Sequence, residues 1–151
     1  MIRSLKRINI VKKSLLFIFI NRLIRNGKKS ILYKTFLTVL IRLKFKLKKS
    51  FNNILEKIIT AISPSIQLRP KFASGVIYLI PDFPKYKKSV VLGLSLFVRA
   101  VKQRREVLLK YRILYEFRDI LRNRGLTLKF KKDFYKLGLN NRHLLFKFNK
   151  K

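Results

Sequence analysis

Cysteine and tryptophan are absent from this chain of 151 residues, histidine occurs once, and Asp and Glu together number six. The lack of cysteine excludes disulfides and thiolate metal sites, and a single histidine argues against a zinc cluster. Cysteine usage is therefore silent on the redox compartment. The acids are Glu56, Asp82, Glu106, Glu116, Asp119 and Asp133. Only Glu116 and Asp119 stand close together at helical spacing, with Arg112 four residues before the first and Arg122 three after the second. That is the pattern of surface ion pairs on a helix, not of an acid and base couple. His143 has no cysteine partner, one histidine does not make a Ser-His-Asp triad, and Asn26-Gly27-Lys28-Lys29-Ser30 lacks the first glycine of a phosphate-binding loop. The chain reads as no enzyme and calls for no cofactor.

Long hydrophobic runs are missing too. The longest early one, Leu15 to Ile20, falls far short of the roughly 20 residues that span a bilayer, and Lys12, Lys13, Arg22 and Arg25 bracket it. No small-residue cleavage site follows it, so a core-facing helix is preferred to a membrane span or a secretory signal.

What the chain has instead is 38 Lys and Arg, a formal net charge of +32, and a hydrophobic fraction of 48% that includes 13 Phe and 6 Tyr. Disordered basic tails are poor in such residues, so the chain should fold. Its length suits one domain able to bury roughly 70% of the surface that the unfolded chain exposes. A folded body carrying this field must neutralise it, and phosphate backbones are the commonest polyanion. A nucleic-acid partner is the first expectation. A DNA-compacting nucleoid protein and a peripheral protein on anionic membrane are the alternatives.

The fold expected is mainly α, a six-helix domain with a protruding two-stranded β-hairpin arm between the third and fourth helices. Residues 1–14 read as a basic N-terminal arm, 15–148 as one helical domain, and 149–151 as a basic tail. Leu15 to Arg25 is a helix closed by Asn26-Gly27, a pair suited to a left-handed cap. Ser30 to Leu43 has Leu32, Phe36, Val39, Leu40 and Leu43 at helical spacing. Lys44 to Ser50 reads as a solvated linker. Asn53 to Ile62 follows, with Asn53 and Glu56 at capping-box spacing and Pro64 as the stop. The period then changes over about 66–81, where a β-hairpin arm turns near Gly75. Lys88 to Arg104 and Val107 to Arg122 are the fourth and fifth helices, the latter closed by Asn123-Arg124-Gly125. Asp133 caps a sixth that runs to about Lys147.

The residues that carry chemistry are basic clusters interleaved with aromatics: Arg25, Lys28 and Lys29; Arg69 and Lys71; Lys102, Arg104 and Arg105; Lys129, Lys131 and Lys132. Together they could track phosphates while Phe72 and Tyr78 stack on unpaired bases. The Asn26-Gly27 turn would let backbone approach RNA.

The order of these clusters resembles the small-ribosomal-subunit protein seven family, the universal S-seven family. Phe19-Ile20-Asn21-Arg22-Leu23-Ile24-Arg25-Asn26-Gly27-Lys28-Lys29-Ser30 is similar to its opening block. Ala61 to Pro64, Leu68 to Lys71 and Gly75 to Pro81 are similar to its arm. Leu92 to Arg104 resembles its central helix, and Asn141-Arg142 falls at its late Asn-Arg. The similarity runs in order from about Phe19 to Phe148. Departures are Lys71-Phe72 for a paired arginine, Ser74 for the first glycine, Phe97 for the tryptophan, and Leu139-Asn140 where an acid is lost.

The resemblance implies binding to the 3′ major (head) domain of small-subunit rRNA, a part in assembling the subunit head, a position near the exit-site tRNA and mRNA path, and contact with the eleventh small-subunit protein. It implies rRNA-binding roles for Arg25, Asn26, Gly27, Lys28, Lys29, Arg69, Lys71, Lys102, Arg104, Arg105, Lys131, Lys132, Asn141 and Arg142, with Phe72, Ser74, Gly75 and Tyr78 at the arm. The excess of Lys, Ile, Leu, Phe and Asn over Gly, Ala and Pro suits an AT-rich organellar genome. The mitochondrion is the compartment expected, with a plastid or a bacterial cytoplasm as alternative.

Overall fold

The computed structural model describes residues 17, 19–24, 26–48 and 50–148. The basic arm expected over 1–14, Arg25 and the tail 149–151 lie outside them. The architecture is mainly helical with an antiparallel hairpin between the third and fourth helices, as the sequence led one to expect.

The first helix, α1 (19–23), buries Phe19, Ile20 and Leu23 and ends where Asn26 and Gly27 both take positive φ, at 49° and 69°. The second, α2 (Lys29–Leu47), buries Leu32, Phe36, Val39, Leu40 and Leu43 along one face. It runs on to Leu47, into the first half of the stretch Lys44 to Ser50 expected to be a linker. Leu47 packs against the core, Lys44 and Lys46 sit in the last turn where cations favour the helix dipole, and Lys48 closes it in the left-handed region. Charge density alone was a poor guide there, because Leu47, four residues after Leu43, still reaches the buried face, although Phe45 is 77% exposed.

In α3 (Phe51–Ile62) the cap is Ser50, whose Oγ accepts from the Asn53 backbone N–H at 3.4 Å, rather than Asn53 with Glu56. Ile54, Ile58, Ile59 and Ile62 fill its inner face. Ser63 is extended ahead of Pro64, as the residue before a proline prefers.

The arm pairs β1 (Gln67–Ala73) with β2 (Val76–Asp82), Lys71 opposite Tyr78 and Phe72 opposite Ile77. Ser74 and Gly75 turn it with φ of 50° and 78°, both left-handed, as a tight hairpin turn requires. Gln67 Nε2 donates to Asp82 Oδ2 at 3.0 Å, joining the two strands at the base, and Asn141 Nδ2 donates to Leu79 O at 3.1 Å, holding the middle of the arm to the end of the helical body.

The fourth helix, α4 (Tyr86–Gln103), crosses α3 so closely that a Cβ on Gly93 would stand 2.8 Å from Ile62 O. Next come α5 (Leu109–Leu121), α6 (Leu126–Asn140) and α7 (His143–Phe148). The single helix expected to start at Asp133 thus begins at Leu126 and breaks at Asn141-Arg142. Asp133 lies mid-helix, and α6 takes its cap from another helix: Glu116 Oε1 on α5 accepts from Thr127 N at 2.9 Å and Thr127 Oγ1 at 2.6 Å. At the centre of the core, Phe19, Phe36, Phe97 and Phe117 bring one ring each from α1, α2, α4 and α5, with centroids 4.9–6.0 Å apart. No helix among the described residues is long and apolar enough to cross a membrane.

Candidate nucleic-acid interface

Two of the basic clusters converge. Lys28, in the turn before α2, and Lys102, near the end of α4, line one groove although they are far apart in sequence. Lys110 and Arg112, at the start of α5, join them there. Sequence reading passed over this last pair because Lys110-Tyr111-Arg112 looks like an ordinary helical face; its signal is only that it follows the basic block at 102–105 by less than two turns. Asn26, Gly27 and Lys29 lie exposed at the same end, and Lys29 Nζ sits 4.1 Å from the centre of the Phe17 ring.

A second cleft, on the other side of the 104–106 connection, brings exposed Arg105 beside Lys129 of α6. Lys132 and Arg142 are also exposed. On the arm, Lys71 is exposed, Arg69 is 63% exposed while bridged to Asp82 at 2.6 Å, and Phe72 is 71% exposed. Asp82 is held below the usual carboxyl value by its bond from Gln67, with Phe83 N–H and Arg69 adding to it against burial. Ser74 and Gly75 form the tip, and Tyr78 is half-buried.

Three of the residues expected to meet RNA are engaged inside the protein. Arg104 is the clearest: its side chain is 14% exposed, Nε meets Glu106 Oε1 at 3.0 Å, and Nη1 meets Glu116 Oε2 at 2.5 Å and Asp119 Oδ2 at 2.9 Å. Burial alone would lower its pKa, but the three carboxylates more than offset this and raise it. Glu106 is lowered in turn: burial opposes its charge, while its own backbone N–H and Arg104 outweigh that. Arg112 Nε donates to Glu106 O, which ties the same loop to α5. Glu116 and Asp119 therefore do not make surface pairs with Arg112 and Arg122; Glu116 is fully buried because it must both pair Arg104 and cap α6. Lys131 Nζ donates to Ala61 O at 2.7 Å, closing the C-terminus of α3, and Asn141 is spent on the arm.

With Asp82 on the arm, Glu106, Glu116 and Asp119 are thus committed to partners within the protein. No described carboxylate lines the first groove, while in the second Glu106 and Asp119 share the lining and are paired with Arg104.

The family model for ribosomal protein S7p/S5e matches residues 3–142. The chain belongs to the ribosomal protein S7p/S5e family. It is accordingly a structural, non-enzymatic protein of the ribosome. It is similar to the small ribosomal subunit protein uS7 of Chloroflexus aggregans, 30% identical over 82% of this chain and 79% of that protein. The proteins of the same name from Dictyoglomus thermophilum and Wigglesworthia glossinidia brevipalpis are 28% and 27% identical over 82% of this chain, covering 79% and 80% of theirs. These relatives are bacterial.

Proposed function

We propose that this protein binds the head domain of small-subunit rRNA and helps assemble the subunit head. The observation that carries the reading is the meeting of Lys28, Lys102, Lys110 and Arg112 around one groove whose described lining holds no acid, with Arg105 and Lys129 in the next, where the lining acids Glu106 and Asp119 are already paired with Arg104. Phosphate contacts of this kind position RNA and read its shape. Asn26, Gly27, Lys29, Lys132 and Arg142 extend the surface; Arg104, Lys131 and Asn141 support it from within; Arg25 belongs with the first group by the family resemblance.

The arm, with Lys71, Phe72, Ser74 and Gly75 exposed, is assigned to the exit-site tRNA and mRNA path, and contact with the eleventh small-subunit protein is assigned to the body, where exposed Leu137 and Leu139 on α6 offer apolar surface. The domain proposed spans 15–148, with 1–14 and 149–151 as basic extensions. The compartment proposed is the mitochondrial matrix, on the AT-rich composition; organelle fractionation distinguishes it from a plastid or a bacterial cytoplasm.

Titration of a head-domain rRNA fragment over a range of salt tests the reading. Tight binding that weakens steeply with salt is expected, since counterions are released as Lys and Arg meet phosphates. Equal preference for random duplex DNA at physiological salt would overturn it.

A further inference from the structure

The groove between α1, α2 and the α4–α5 connection has a floor that phosphate contacts leave unexplained. Leu23, Leu32 and Val101 form its buried base, while Ile31, Val107 and Leu108 stand at its lip, 58%, 90% and 50% exposed. Its volume is about 610 Å³, within the range of sites that hold a small ligand. Its rim carries Lys28, Lys102, Lys110 and Arg112 and, among the described residues, no carboxylate. Thr35, also on its wall, donates its hydroxyl hydrogen to Leu32 O at 2.7 Å.

We propose that this groove receives the base of one unpaired RNA nucleotide, turned out of its stack, with the adjoining phosphates on Lys28, Lys102 and Arg112. The inference rests on the rRNA-binding reading and adds to it a defined site. A wholly cationic rim matches phosphates on both sides of an inserted base. Apolar side chains can sandwich a flipped base, and RNA is recognised chiefly where bulges and loops leave bases free to splay out. A duplex could meet the rim but would leave the aliphatic lip uncovered. With the Thr35 hydrogen already committed, the groove reads the base by shape more than by its edge, so more than one base should fit.

The test uses the full chain with Ile31→Ser and Leu108→Ser, both at exposed positions, titrated with the head-domain fragment and followed by chemical footprinting of the bases. Each substitution should cost about tenfold in affinity without changing the slope of log affinity against log salt, because no cation is lost. One unpaired base protected by the wild type should become reactive. Unchanged affinity and footprint in both variants, with the wild type binding normally, overturns the groove proposal alone; failure of the wild type to bind overturns the rRNA reading with it. A photoreactive residue at position 107 in assembled subunits should crosslink to RNA, and a crosslink only to another protein would give the groove a different occupant and overturn the proposal.

Discussion

Arg104→Met separates the two roles open to this arginine. The sequence places it among phosphate ligands; the structure surrounds it with Glu106, Glu116 and Asp119. Removing it leaves Glu116, with no exposed surface, as a buried charge whose remaining bonds come from Thr127. Breaking a buried pair on one side costs about 3–5 kcal/mol, and the surviving bonds argue for about 3. Against a whole-domain stability of about 5–15 kcal/mol this is a large share. It corresponds to about 6–12 °C in Tm for a chain of this size. The assay is thermal unfolding of the RNA-free protein by circular dichroism, in enough salt to screen self-repulsion. Adding Glu116→Gln should recover part of the loss by removing the orphaned charge. The reasoning is refuted if Arg104→Met melts like wild type and instead lowers the salt slope of RNA binding by about 0.9, the signature of one lost phosphate contact.

Three further outcomes are expected. Gly93→Ala should destabilise by about 1–3 kcal/mol in the same melt, because its Cβ would meet the Ile62 backbone, which has no flexible end to move; an unchanged melt would contradict the close crossing of α3 and α4. Shortening the arm around Ala73-Ser74-Gly75 should leave the helices folded and the protein able to join the subunit, since the tip is exposed and the arm's bond to the body, from Asn141 to Leu79, lies away from it; loss of assembly would contradict this. Acid should loosen the α4–α5 connection: Glu106 is depressed below its ordinary 4.5, so its contribution is complete above that pH and lost as pH falls through the lower native value. Hydrogen exchange across residues 104–108 at falling pH measures this, and protection that persists through the loss of every carboxylate charge would refute it.

The elements were legible where periodicity and turn chemistry agreed. The Leu32, Phe36, Val39, Leu40 and Leu43 face, the positive-φ pair Asn26-Gly27 and the hairpin turning at Ser74-Gly75 stand as read. Boundaries failed where a distant residue supplied what local sequence lacked. Helix α6 starts at Leu126 because Glu116 caps it, and nothing near Leu126 announces this. The clusters were legible as charge but not as roles, since composition cannot tell a cation facing solvent from one answering buried acids. Arg104 and Lys131 went inward for that reason, while Lys110 and Arg112 joined the groove only through the packing of α5 against α2.

The central claim is that this chain works as part of the small ribosomal subunit, held there by RNA. Sedimentation of the native protein from cell or organelle extract through a density gradient tests it most directly. The account predicts co-migration with the small subunit at moderate salt and release as salt is raised; recovery in nucleoid or membrane fractions, with the small subunit empty of it, would contradict the account.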